Sequence, residues 1–183
     1  MSLARTRIAV RLIAVAALAA LTAGCFQPMY AERNDGKPGL REKLMGVEIP
    51  PVDKPNASRE ARIQVEIRNA LAFKLYGGAT GMPPTHKLVI RFQTSRSSLI
   101  IDPTTALPSI ENYGIDAQYN LIEIVSAKSV MTGSTFSRVS YDIPGQLQRF
   151  ARQRAFRDAE DRACHEIAEN IQTRLASFFT AGS

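Results

Sequence analysis

The sequence predicts an α+β domain in which two helices pack on one face of a four-stranded antiparallel sheet. Three observations predict it. Segments with alternating apolar and polar residues follow one another over residues 85–141, a helical apolar stripe precedes them, and a second stripe follows them. Consecutive alternating strands form an antiparallel meander with one apolar face, and amphipathic helices cover that face. The predicted order is β-α-β-β-β-α in a single domain over residues 44–183.

The first strand and the first helix lie between segments rich in proline and glycine. Leu44–Ile49 alternates weakly and ends at two prolines, which predicts a short strand. Asn56 or Ser58 can cap the helix predicted over Arg59–Tyr76, and a glycine pair follows its last residue. Its apolar residues recur every four positions, at Ile63, Ile67, Leu71 and Leu75.

Three longer strands and a long helix complete the domain. Thr85–Ser95 alternates clearly and can extend to Ile101, and residues 102–112 are predicted as a loop. Tyr113–Val125 and Val130–Tyr141 are the next two strands, joined by a turn. A helix is predicted over Gln146–Phe179 from a stripe with a spacing of four residues: Ala155, Ala159, Ala163, Ile167, Ile171, Leu175 and Phe179.

The N-terminus predicts an export signal over residues 1–24. Three arginines and no acidic residue accompany an uncharged run of twelve residues, Leu12–Ala23. A basic region, a short apolar region and small residues before a cleavage site are typical of a secretory signal. Twelve residues rise about 18 Å as a helix, against the roughly 30 Å of a hydrocarbon core, so a membrane span is not predicted.

The end of this signal, Ala23-Gly24-Cys25, resembles a bacterial lipobox. The resemblance implies that a diacylglycerol is attached to Cys25, that the chain is cleaved before it, and that its new amine is acylated. Thr22 stands where the lipobox usually has leucine. A plain signal peptide with a chance cysteine is the alternative, and a buried core helix fits poorly. Residues 25–43 are predicted as the lipidated N-terminus and a tether, because polar residues there alternate with proline and glycine.

Charge and cysteine content exclude several classes of protein. The chain has 23 lysine and arginine residues against 17 aspartate and glutamate residues, and three of the arginines lie in the signal. The remaining excess is too small to predict a nucleic-acid partner. Apart from Cys25 there is one cysteine, Cys164, so no disulfide framework is predicted. Cys164 is interpreted as a small buried hydrophobic residue.

No catalytic residue, metal ligand set or cofactor is predicted. The glycine-rich segment 77–81 follows a helix, whereas a phosphate-binding loop precedes one. The nearest metal-like motif is His165-Glu166-Ile167-Ala168-Glu169, in which Glu169 replaces the second histidine of a zinc-protease helix. A periplasmic metal enzyme built from His86, His165 and Glu169 is kept as an alternative of a different class.

Six arginines are candidates for contact with an anionic partner. Arg149, Arg152, Arg154 and Arg157 fall within nine residues that contain no acid, at the start of the last predicted helix. The helix dipole disfavours cations there by a few tenths of a kcal/mol each. Either these arginines meet an anionic surface, or the helix begins near Asp158 after a solvated basic segment. Two arginines on polar strand faces complete the candidate set: Arg91 and Arg138.

Three segments resemble the lipopolysaccharide-assembly lipoproteins, the LptE (RlpB) family, in their alphaproteobacterial form. Cys25-Phe26-Gln27-Pro28-Met29-Tyr30 is similar to the family's Cys-Gly-Phe-x-Pro-Leu-Tyr start, without its glycine. The segment from Tyr113 to Tyr119, Tyr-Gly-Ile-Asp-Ala-Gln-Tyr, and the helix around Arg154–Glu160 also resemble it. The predicted element order is the same.

This resemblance implies an outer-membrane lipoprotein without catalytic activity, anchored through lipid on Cys25 and facing the periplasm. Its implied partners are the LptD β-barrel, in which it acts as plug and assembly factor, and lipopolysaccharide, which is inserted into the outer leaflet. The family's lipopolysaccharide-contacting positions match no motif of this chain, so none is carried over. A pilotin or a subunit of the barrel-assembly machine remains an alternative.

Overall fold

The computed structural model describes residues 36, 38–51, 53, 56–77, 82–101, 103, 108–144 and 148–181. The chain divides into two compact units, Met1–Gly39 and Leu40–Ser183. Of the first unit only residues 36, 38 and 39 are described, so the predicted signal and Cys25 lie outside the described residues. The second unit holds every helix and strand named below.

The described residues of the second unit form three helices and four strands. In chain order they are α1 (Leu40–Met45), β1 (Val47–Glu48), α2 (Arg59–Tyr76), β2 (His86–Ile101), β3 (Pro108–Glu123), β4 (Ser129–Asp142) and α3 (Arg149–Ala181). None of the helices in the described residues is long and apolar enough to cross a membrane.

The four strands form one mixed sheet in the order β1-β2-β3-β4. Long antiparallel ladders join β2 to β3 and β3 to β4, as the alternation predicts. The prediction of a purely antiparallel sheet is wrong, because β1 runs parallel to β2 through the pairs Val47–His86 and Glu48–Lys87. The chain leaves β1, passes through α2 and returns to the neighbouring strand, and such a crossover through a helix joins parallel strands.

Helix α2 has the bounds that its capping signals predict. The Ser58 side-chain oxygen accepts a hydrogen bond from the Ala61 amide at 3.0 Å. At the other end Gly77 has a φ of 65°, and its amide donates to the Phe73 carbonyl. Glycine adopts this left-handed conformation without the strain that a Cβ atom brings, which ends the helix there.

Helix α1 is a correction to the predicted architecture, which had two helices. The predicted strand Leu44–Ile49 is reduced to two paired residues, and residues 40–45 are helical instead. Residues 40–43 belong to the predicted tether, yet Leu40 is buried. The Lys43 ammonium also donates to the Phe179 carbonyl at 3.2 Å. Six residues are fewer than two helical turns, so no apolar period can mark such a helix.

The core lies between one face of the sheet and the two long helices. The buried side chains of β2, β3 and β4 are Leu88, Tyr113, Ile115, Ala117, Tyr119, Leu121, Ser137, Val139 and Tyr141, and register places them on one face. Helix α3 buries most of its predicted stripe against them: Ala159, Ala163, Ile167, Ile171, Leu175 and Phe179. The opposite face is polar and is called the open face below; no described element covers it.

Candidate functional site

The structure divides the six candidate arginines into two groups. Arg91 on β2 and Arg138 on β4 both lie on the open face, since Arg91 pairs with Gln118 and Arg138 with Gly114. The other four lie in the first turns of α3, which packs on the opposite face of the sheet. The six arginines, which the sequence analysis groups as one set, therefore lie on two separate surfaces.

Arg138 is held in place by neighbouring groups of the sheet. Its guanidinium donates to both carboxylate oxygens of Asp116, at 2.7 and 2.9 Å. It also donates to the Ile115 and Ser137 carbonyls. Its side chain crosses β3 at Gly114, where an added Cβ would lie 2.9 Å from Arg138 Cδ. Asp116 already compensates the positive charge of Arg138, so its attraction for an external anion is reduced.

Arg91 differs from Arg138 in its surroundings. It is exposed on the open face, and no carboxylate in the described part of the chain forms an ion pair with it. Its cross-strand neighbour is the neutral Gln118. Arg91 can therefore contact an anion without giving up an existing partner.

The four arginines of α3 surround the end of the helix. The helix begins at Arg149, so the alternative of a helical start near Asp158 is wrong. All four side chains are exposed, and none forms an ion pair with another described residue. At 100° per residue they spread over about 200° of the helix circumference. They form a basic collar rather than a stripe, and we call Arg149, Arg152, Arg154 and Arg157 the basic collar.

Exposed apolar residues lie at the same end of the domain as the basic collar. Phe150 is 89% exposed within the collar itself. The tip of the β2–β3 hairpin, Leu99–Ile101, exposes three large aliphatic side chains. Arg96, five residues before Ile101, lies 4.9 Å from the centre of the Phe156 ring of α3, which joins the hairpin to the helix. Three consecutive aliphatic residues before a proline-containing loop are the sequence signal of this apolar tip, which is not among the predicted site residues.

A buried ion-pair cluster joins α2 to α3 about one turn after the basic collar, and no sequence signal was used to predict it. Glu160 is 2% exposed, and its carboxylate accepts from Arg59 Nε at 2.5 Å and from Arg62. Arg62 also donates to Asp161 at 2.9 Å. Burial alone would lower the pKa of Arg62, but the hydrogen bond to Asp161 and the charges of Glu160 and Asp161 outweigh it and raise that pKa. The cluster therefore joins α2 to α3 through ion pairs.

His86 lies at the far end of α3 from the basic collar, whereas His165 and Cys164 lie midway along that helix. No group of three histidine, cysteine, aspartate or glutamate side chains that could hold a metal ion exists among the described residues. His165 Nδ1 lies 2.8 Å from the Asp161 carbonyl of its own helix. His86 packs edge-on against Phe179, and burial lowers its pKa. Cys164 is buried, as predicted, and burial raises the pKa of its thiol to about 12.

The chain is similar to one protein family and to several solved structures. A family model described as "LptE: Lipopolysaccharide-assembly" matches residues 44–175. Among solved structures the chain is similar to a proposed lipoprotein from Caulobacter crescentus CB15, at 21% sequence identity and a TM-score of 0.59, over 79% of this chain and 97% of that chain. It is also similar to the rare lipoprotein B from Shewanella oneidensis, at 14% identity and a TM-score of 0.52, over 74% and 95% of the two chains. No curated protein sequence gives a match. At these identities the solved structures establish the fold alone.

Proposed function

The chain belongs to the LptE lipopolysaccharide-assembly family, and we propose that it acts with an LptD-type β-barrel in the outer membrane. In this role it is the plug and assembly factor of the barrel and takes part in the insertion of lipopolysaccharide into the outer leaflet. The observation that carries the proposal is the family match over residues 44–175, which includes most of the helices and strands.

The surface chemistry of the domain supports a binding role of this kind. The basic collar offers four exposed cations to the anionic groups of lipopolysaccharide or to acidic residues of a barrel wall. Phe150 and the hairpin tip place exposed apolar side chains at the same end, which suits a partner with both acyl chains and charges. We assign Arg91 a further anion contact on the open face. Arg138 remains in the proposed set as a weaker contact, because Asp116 already compensates its charge.

The proposed anchor is lipid on Cys25, after removal of residues 1–24 as a lipoprotein signal. One acyl chain holds a protein only weakly at a membrane, at about 0.8 kcal/mol per buried methylene, whereas several chains together hold it stably. Lipidation would keep the domain at the periplasmic side of the outer membrane, where a barrel partner is inserted.

The first experiment identifies the partner. The lipidated protein is purified from outer membranes in mild detergent, and the proteins that remain bound are identified by mass spectrometry. Recovery of an LptD-type barrel is expected. Recovery of a secretin or of the barrel-assembly machine in its place would overturn the proposal.

The second experiment tests the basic collar. All four of its arginines are changed to glutamine, and the control is the double variant Arg41→Glu with Lys128→Glu, which lowers the net charge by the same total. We expect the collar variant to lose lipopolysaccharide affinity or barrel recovery by about tenfold, because four exposed cations each contribute a few tenths of a kcal/mol. The control should keep both. Equal losses in the two variants would show that net charge alone is responsible and would exclude the collar as a contact surface.

A further inference from the structure

The outer edge of β2 is open over most of its length. β1 pairs only with His86 and Lys87, so the edge from Leu88 to Ile101 has no strand partner among the described residues. The Ile124 amide, just after β3, donates to the Thr85 carbonyl, just before β2. Because alternate residues of a strand direct their backbone groups to opposite edges, this bond shows which residues of β2 bond to β3. Odd-numbered residues of β2 therefore bond to β3, and the amides of Ile90, Phe92 and Thr94 point outwards.

An apolar groove lies beside this open edge. It has a volume of about 220 Å³, and its apolar lining includes Ile49, Pro50, Ile67, Leu88, Ile90 and Phe92. Ile90 and Phe92 face the helical layer but are only half-buried, and both line the groove. Gln64 also lines the groove, and its buried Oε1 atom accepts no hydrogen bond within the described residues. The groove therefore combines unpaired backbone groups, apolar side chains and one unsatisfied acceptor.

The charges along the edge indicate what can bind there. β2 contains lysine and arginine but no acidic residue over its 16 positions. Lys87 and Arg91 lie on the open face, on the opposite side of the strand from Ile90 and Phe92. Asp53 and Arg68 also border the groove and offset each other in charge. Two copies of this basic edge would repel each other, which disfavours pairing between two molecules of this chain.

We propose that the β2 edge binds an extended segment of another protein in which apolar and acidic residues alternate. The segment adds a strand to the sheet through the outward amides and carbonyls of β2. Because side chains of a strand alternate between its two sides, one set enters the apolar groove and the other lies on the open face beside Arg91. This interaction is independent of the basic collar, which lies on α3.

A designed peptide tests the proposal on the full chain. The probe is an eight-residue peptide, acetylated and amidated, that alternates valine with glutamate, and the readout is amide hydrogen exchange at single residues. We expect exchange at Ile90, Phe92 and Thr94 to slow by about tenfold, since new backbone hydrogen bonds protect amides. The amides of Ser134 and Phe136, which point outwards on the other edge strand β4, should not change. Equal protection at β4, or none at β2, would overturn the proposal.

Three matched peptides separate backbone pairing from charge attraction. A peptide with lysine in place of glutamate should give no protection. In a strand, the amides of alternate residues point to opposite edges, so N-methylation of either the valine set or the glutamate set removes the donors of one edge. One of these two peptides should therefore lose binding while the other keeps it. Loss in both or in neither would exclude strand addition.

A protein variant tests the proposed ionic contact. Arg91→Glu should weaken peptide affinity about fivefold, because an attractive cross-strand charge pair becomes a repulsive one. Lys128→Glu makes the same change of charge in the β3–β4 turn and should have no effect. Equal weakening by both variants would show that Arg91 makes no specific ionic contact with the peptide. Protection of the outward β2 amides by dimerisation of the full chain, without peptide, would show that a second copy binds this edge, and either result would contradict the proposal.

Discussion

At the scale of single residues, Glu160 shows how a charge can be buried in this fold. Its carboxylate is surrounded by the guanidinium groups of Arg59 and Arg62, which come from the first turn of α2. Arg59 also lies 4.3 Å from the centre of the Phe156 ring, one helical turn before Glu160. The sequence could not predict this cluster, because only the packing of α2 against α3 brings Arg59 and Arg62 to Glu160.

We predict that Glu160→Gln lowers the free energy of unfolding by about 2 kcal/mol. The amide cannot compensate two guanidinium groups, and removal of one partner from a buried ion pair is costly, although solvent at the two partly exposed arginines limits the loss. Urea unfolding measures the effect. Asp158→Asn is the matched control, because Asp158 pairs with Arg162 on the exposed side of the same helix, and it should cost less than about 0.5 kcal/mol. A Glu160→Gln effect no larger than the control would contradict the role assigned to the cluster.

At the scale of elements, local signals decided what could be predicted. The bounds of α2 were predicted because a serine cap and a glycine stop flank a clear apolar stripe. The ladders of β2, β3 and β4 followed from alternation, although β3 begins at Pro108 within the predicted loop. The helix α1 and the direction of β1 could not be predicted, because both are set by contacts with distant residues. The candidate arginines were predicted to be exposed, but their separation onto two faces follows only from the packing of α3.

Helix α1 should contribute to stability in spite of its length. Leu44 is almost fully buried in the core cluster. We predict that Leu44→Ala lowers the free energy of unfolding by about 2 to 3 kcal/mol, because it removes buried methyl groups and leaves a cavity. Arg41→Ala, at an exposed position of the same helix, should change it by less than about 0.5 kcal/mol. If both variants unfold at the urea concentration of the unchanged protein, α1 is not part of the cooperative core.

At the scale of the whole molecule, the core holds several groups that become charged only at high pH. Burial, followed by the charge of Glu160, raises the pKa of Tyr113 to about 12. Burial, a hydrogen bond with Glu111 and the charge of Glu111 raise the pKa of Tyr141 to about 12. Burial also raises the pKa of the Cys164 thiol to about 12. All three groups lie in the single core between the sheet and the two long helices.

These groups predict a loss of stability in alkaline solution. Between the ordinary tyrosine pKa of about 10 and the raised value, the unfolded chain releases a proton that the folded chain retains, so stability falls as pH rises through this window. Each tyrosine contributes a slope of up to about 1.4 kcal/mol per pH unit, and Cys164 extends the window down to about pH 9. Tyr113→Phe should remove one such contribution, so that its unfolding free energy approaches or exceeds that of the unchanged protein above about pH 10. The difference in unfolding free energy between the two proteins at pH 7, measured by urea unfolding, gives the effect of the substitution on packing and is subtracted. Parallel curves for the two proteins between about pH 9 and pH 12 would show that Tyr113 does not resist ionisation in the folded state, since a retained proton must change the slope.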